Sequence, residues 1–161
     1  MKLDFKILTG ALAIIVIGCD RQPPKDMQSL GSVEPVHLTD TNFHTEVIES
    51  QVPVLVDMWA PWCQPCIAMK PTIRDVTEDL KGTAKVGELN IEENPFIKGK
   101  YKIDKYPMLL IFVDGKEVQR LIGMKAHDEI VEAVMVSVVR HYEATSLMHK
   151  GGYVDTDLQH H

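Results

Sequence analysis

Val54-Leu-Val-Asp-Met-Trp-Ala-Pro-Trp-Cys-Gln-Pro-Cys66 decides how this chain folds. Val54-Leu55-Val56 is a short apolar run, prolonged past Asp57 by Met58-Trp59, and reads as a buried strand. Ala60-Pro61-Trp62 breaks it. Beyond the break, Met69, Ile73, Val76 and Leu80 recur at helical spacing, so a helix is expected from near Cys63 to about Leu80. Pro65 then falls in its first turn, where a missing N–H costs nothing.

Cys63 and Cys66 stand three positions apart, with Trp62 before the first and Pro65 before the second. The spacing alone fits a redox pair, a static disulfide or half of a zinc site, and no second C-x-x-C or H-x-x-x-H follows. Strand, turn and helix start favour redox chemistry. The unpaired N–H groups and the dipole of a helix N-terminus favour an anion. The Cys63 thiolate is therefore expected to form below the usual thiol pKa of about 8.5. Cys66, one turn further in, is expected to be the more buried of the two. Cys63 would attack a target disulfide, and Cys66 would resolve the mixed disulfide. Asp57 is the second anomaly, because a carboxylate in an apolar strand needs a partner or a proton. It is a candidate base for Cys66, the alternative being a strand-end carboxylate bonded to backbone.

V-D-M-W-A-P-W-C-Q-P-C resembles the active-site segment of the thioredoxin family. The resemblance continues through Pro71 in the helix, Leu89 to Pro95 (L-N-I-E-E-N-P), Tyr106 to Phe112 (Y-P-M-L-L-I-F), the Asp114-Gly115 turn and Gly123, and covers about Val36 to His141. It implies an α/β thioredoxin fold, a central mixed β-sheet flanked by helices on both faces. It also implies a catalytic Cys63–Cys66 disulfide, a buried Asp57 serving that pair, and a cis bond before Pro107. The implied docking surface comprises Trp62, Gln64, Pro65, Tyr106, Pro107 and Gly123, where client backbone pairs as an added strand. No cofactor beyond the disulfide and no metal is implied. Three departures stand out. Gln64 replaces the usual glycine, Glu88 stands where many relatives carry a lysine near the buried aspartate, and Lys105-Tyr106 replaces a small-and-aliphatic pair. Glu88 is expected to raise the pKa of Asp57.

Residues 1–18 read as a lipoprotein signal peptide, with Lys2 and Lys6 ahead of the apolar run Ile7 to Ile17, which is too short to span a membrane as an ordinary helix. Val16-Ile17-Gly18-Cys19 resembles a bacterial lipobox, which implies cleavage before Cys19 and its lipidation. That also explains an odd total of three cysteines. Asp20 resembles the inner-membrane retention signal of Gram-negative bacteria, so the expected address is the periplasmic face of the inner membrane, or the outer face of the membrane in a Gram-positive cell; the alternative is an ordinary signal peptide or an uncleaved anchor with Cys19 incidental. Residues 19–35 read as a flexible tether, 36–143 as the thioredoxin domain, and 144–161 as a loosely ordered tail.

The formal charge is −6, and removing residues 1–18 leaves −7, which argues against nucleic acid as a partner. The remaining pattern predicts a strand near Val36 to Leu38 and a helix capped by Asp40 and ending about Glu49. A strand over Lys85 to Ile91, a short helix or turn over Asn94 to Tyr101, and a hairpin of Met108 to Val113 with Glu117 to Ile122 come next. The last helix is expected from Asp128 to about His141, with a stripe of Val131, Val134, Met135 and Val138. Met124 and the other methionines read as core filler. The histidines read as surface or capping residues. The expected function is reduction of protein disulfides in the cell envelope, fed by a membrane electron donor. Misoxidised envelope proteins and apocytochrome c thiols are possible clients. The alternatives are a thiol oxidase or isomerase of the same fold, a non-catalytic holdase, and a copper- or zinc-handling thiol pair.

Overall fold

The computed structural model describes residues 33–150. The signal peptide, Cys19, Asp20 and nearly all of the tether lie outside the described residues, as do residues 151–161. Five strands form one sheet: β1 (Val36–Leu38), β2 (Val54–Trp59), β3 (Lys85–Asn90), β4 (Met108–Val113) and β5 (Lys116–Ile122). Among the described residues three α-helices accompany them: α1 (Gln64–Asp79), α2 (Pro95–Lys100) and α3 (His127–Lys150). The strand order is β1-β3-β2-β4-β5. β1, β3 and β2 run parallel, while β4 is antiparallel to both β2 and β5. The sheet is mixed, with helical layers on both faces, as the resemblance implied.

The central strands explain the continuous apolar runs. Val54 to Met58 and all of β4 are buried, because both faces of the sheet are covered. On one face Leu55, Leu109 and Ile111 pack against Met69, Ile73 and Val76 of α1, its C-cap Leu80, and Ile130 and Val134 of α3. On the other, Val54, Val56, Met58, Leu110 and Phe112 pack against Phe43, Val47 and Ile97. Asp114 (φ 50°) and Gly115 (φ 71°) make the tight β4–β5 turn. Gly115 has a further constraint, since a Cβ there would lie 2.4 Å from the Ile48 carbonyl oxygen.

Four local expectations are corrected. The segment after β1 does not form a helix capped by Asp40. Thr39 and Asn42 cap each other reciprocally, Thr39 N–H donating to Asn42 Oδ1 (2.7 Å) and Asn42 N–H to Thr39 Oγ1 (3.2 Å). A five-residue π-helical turn (His44–Ile48) follows. Asp40 reaches instead to α2, accepting from Phe96 N–H (3.1 Å) and Ile97 N–H (2.9 Å). α3 runs nine residues past His141, through part of the expected loose tail, because Gly151-Gly152 are the first helix-breaking residues in that stretch of sequence. Its buried stripe is Ile130, Val134 and Ser137, and Met135 is 43% exposed on the flank. Met58, Met69 and Met108 are core, but Met124 is 58% exposed, since Gly123 (φ 81°) turns the chain out of the sheet just before it.

Candidate active site

β2, the central strand, ends at Trp59. The Ala60 carbonyl then accepts from Cys63 N–H (3.1 Å), closing a turn through Pro61-Trp62. Cys63 is thereby set in extended geometry as the N-cap of α1, with Pro65 in the first turn. Its Sγ accepts a hydrogen bond from Cys66 N–H (3.2 Å), and its carbonyl accepts from Ile67 N–H (3.0 Å). A helix-terminal donor is thus aimed at the outer sulfur, where a thiolate would be stabilised. Cys63 and Cys66 are joined as a disulfide with their Cα atoms 5.2 Å apart. Cys66 has no exposed surface, and Cys63 shows 4%. The asymmetry is small in area but runs in the direction expected for an outer and an inner sulfur.

The opposite wall is the start of β4, where the Tyr106–Pro107 bond is cis. The Pro107 carbonyl accepts from Gly123 N–H (2.9 Å), which draws the end of β5 against it, and Gly123 tolerates the positive φ of 81° because it has no Cβ. Tyr106 packs edge-on against Trp62, with centroids 5.2 Å apart, and its hydroxyl donates to the Ile103 carbonyl (2.9 Å). Trp62 is 53% exposed, yet its indole N–H donates to Glu92 Oε1 (2.7 Å). Gln64 and Pro65 lie exposed on the first turn of α1. Trp62 and Tyr106 therefore meet directly, while Pro107 and Gly123 are tied to each other through the backbone.

Asp57 is fully buried in β2, and neither carboxylate oxygen has a hydrogen-bond partner among the described residues. The backbone-bonded alternative is excluded. Burial pushes its pKa up to about 6, with Lys70 pulling it down and Glu88 pushing it further up. Glu88 faces Asp57 in the parallel register, so the expected effect of that carboxylate has its geometric basis.

Lys70 was not among the expected site residues, nor was Glu92. The signal for Lys70 was present: Cys66, Met69, Lys70 and Ile73 are spaced i, i+3, i+4, i+7, which puts a lysine on the stripe that faces the sheet. A cation there needs an anion. Its ammonium lies 2.5 Å from Glu88 Oε2, 3.6 Å from Asp57 Oδ2 and 4.0 Å from the Trp59 ring centroid. Glu92 carried no comparable signal, because an exposed acid in a loop is ordinary until Trp62 is seen to reach it.

Among the described residues no group of three or more His, Cys, Asp or Glu side chains is placed to hold a metal, and no helix is long and apolar enough to cross a membrane. Residues 34–136 match the family model described as Thioredoxin. The thioredoxin of Rickettsia felis is 38% identical over 102 residues, covering 63% of this chain and 97% of that protein. The thioredoxin of Chlorobaculum thiosulfatiphilum is 41% identical over 96 residues, covering 60% and 89%. That of Griffithsia pacifica is 46% identical over 84 residues, covering 52% and 77%. The chain belongs to the thioredoxin family, and with its Cys63–Cys66 pair it is a protein thiol–disulfide oxidoreductase.

Proposed function

We propose that this protein reduces protein disulfides outside the cytoplasm, tethered to the inner membrane through lipidated Cys19, with Cys63 as nucleophile and Cys66 as resolving thiol. The observation that carries the reading is the position of Cys63 Sγ, at the N-cap of α1 with the Cys66 N–H pointed at it and Cys66 itself closed beneath. In the reduced protein, the Cys63 thiolate attacks one sulfur of a client disulfide and expels the other as a thiolate. The Cys66 proton passes to Asp57. The Cys66 thiolate then attacks Cys63 Sγ, the Cys63–client bond breaks, and the client leaves with two added electrons. A membrane electron donor restores the dithiol.

The surface formed by Trp62, Tyr106, Pro107 and Gly123 serves as the docking surface, where an extended client segment would lie as an added strand. Pro65 before the second cysteine supports the reducing direction, as in the reducing members of the family. The potential is therefore placed nearer about −270 mV than about −120 mV.

Trapping with Cys66→Ala tests the assignment. Clients should accumulate as mixed disulfides on Cys63, and none should accumulate on a Cys63→Ala, Cys66→Ala double variant. A redox titration near the oxidising value would overturn the direction. Lipid labelling that survives Cys19→Ser would overturn the anchor.

A further inference from the structure

We propose that the outward stripe of α3 is a self-association surface, on which a second copy of this chain lays its own α3 in antiparallel orientation. The inference does not depend on the direction of thiol exchange.

α3 has one covered side and one open apolar side. Ile130 and Val134 pack into the core, and Ser137 donates to Gln119 of β5 (2.6 Å). Met135, Val139 and Tyr142 recur at i, i+4 and i+7, so they share a different side of the same helix. Val139 is 53% exposed and Tyr142 51%. Single exposed apolar residues are ordinary, whereas a row of them marks a contact surface. The family model ends at residue 136 while α3 continues to Lys150, so Val139 and Tyr142 lie on helix beyond the match. The row is also held in place. The Tyr142 ring stands edge-on to His141 (5.6 Å), and His141 Nε2 meets Asp114 Oδ2 at 3.0 Å. Little side-chain freedom at Tyr142 is then left to lose on docking.

Charge selects the occupant. Residues 127–138 carry Asp128, Glu129 and Glu132 with no lysine or arginine, while residues 139–150 carry Arg140 and Lys150 against Glu143. A second copy running the opposite way sets each half against its complement and opposes the two helix dipoles. A parallel copy would set like against like.

The register agrees with the charge. Glu132 and Lys150 are eighteen residues apart, five whole turns, so they stand at one angle around the axis. In a two-fold antiparallel pair, two positions meet reciprocally when the crossing point lies midway between them. Glu132 with Lys150, Val139 with Tyr142, and Arg140 with Glu143 all have midpoints within half a residue of position 141. One crossing point therefore serves the apolar pair and both charge pairs. A helix of 24 residues is about 36 Å long, so pairing along it reaches only the low end of specific interfaces, roughly 1,000 Å² in total. The dimer is accordingly weak and reversible.

The experiment is photo-cross-linking of the full chain, with two differently tagged copies expressed together. Benzoylphenylalanine is placed at Tyr142 or at Ala144, which is exposed on another side of the helix. Irradiation should give a covalent dimer carrying both tags from position 142 and little or none from position 144. Glu132→Lys should lower the yield severalfold, and Glu132→Lys with Lys150→Glu should restore it, as only antiparallel pairing requires. Val139→Glu places an unpaired charge at the crossing point and should abolish the dimer. Insulin-disulfide reduction at the wild-type rate would show that this variant is still folded, and the charge exchange keeps the test decisive if it is not. The proposal is overturned by the absence of a doubly tagged product, by equal yields from the two positions, by a cross-link to another protein or to lipid instead, or by an exchanged-charge variant that stays monomeric.

Discussion

Trp62 and Glu92, thirty residues apart in sequence, are joined by a 2.7 Å hydrogen bond from the indole N–H to Oε1. The bond ties down the ring of the residue that precedes Cys63, which meets the Tyr106 ring in a T-shaped contact with centroids 5.2 Å apart. Glu92→Ala should change stability by less than about 1 kcal/mol, because the pair is exposed. It should nevertheless lower kcat/KM severalfold for a protein disulfide by raising KM, and leave the reaction with a small aromatic disulfide unchanged. Parallel kinetics with the two substrates check this.

Burial of Asp57 has a signature in stability against pH. Its folded-state pKa, about 6, lies above its ordinary value of 3.8. Well below pH 3.8 the group is protonated in both states and contributes nothing. Between the two values the native state binds the proton more tightly, so wild-type stability falls as pH rises. Relative to wild type, Asp57→Ala should therefore gain up to about 3 kcal/mol between about pH 4 and about pH 7. Denaturant unfolding of both proteins across that range measures the difference, in which any constant cavity cost cancels.

His127 behaves with the same sign for a different reason. Its Nδ1 meets Asp128 Oδ1 at 2.9 Å and its Nε2 meets Asp79 Oδ2 at 3.0 Å, joining the end of α1 to the start of α3. The Asp128 hydrogen bond, with Asp79 and Asp75 nearby, raises its pKa above 6.5. The stabilisation is complete below about pH 6.5 and is lost as pH rises through the raised value. His127→Gln should therefore lower Tm at mildly acidic pH and have little effect at mildly alkaline pH. Thermal melts at the two ends of that interval decide it.

Asp40 caps a helix that begins 55 residues later. Asp40→Ala should cost about 1 kcal/mol, as N-cap removal usually does, and Asp40→Asn should recover much of it. Amide exchange at Phe96 and Ile97 should quicken in Asp40→Ala while β2 and β4 keep their protection.

What the sequence disclosed and what it withheld divide along physical lines. β2, β4 and α1 were legible because their patterns record contacts made on every side: Val54 to Met58 and Met108 to Val113 are buried on both faces, and Met69, Ile73 and Val76 on one. The disulfide pair was legible because three residues of spacing and a helix start place both sulfurs. Asp40 was misread because local spacing cannot show that a cap serves a distant helix, and Thr39 and Asn42 had already filled the local need. Met124 was misread because exposure there depends on the φ of Gly123 rather than on any side-chain pattern. Glu88 was noticed and Lys70 was not, although the lysine's place on the apolar stripe was visible. A departure from a family pattern draws attention more readily than its compensation elsewhere in the fold.

The closure of Cys66 beneath Cys63 also has a kinetic meaning. Under the proposed reducing role, a client and an electron donor would both find a single sulfur at the surface. They must take turns at one doorway, each inhibiting the other in the manner of ping-pong exchange, and no ternary complex can form through the two sulfurs at once.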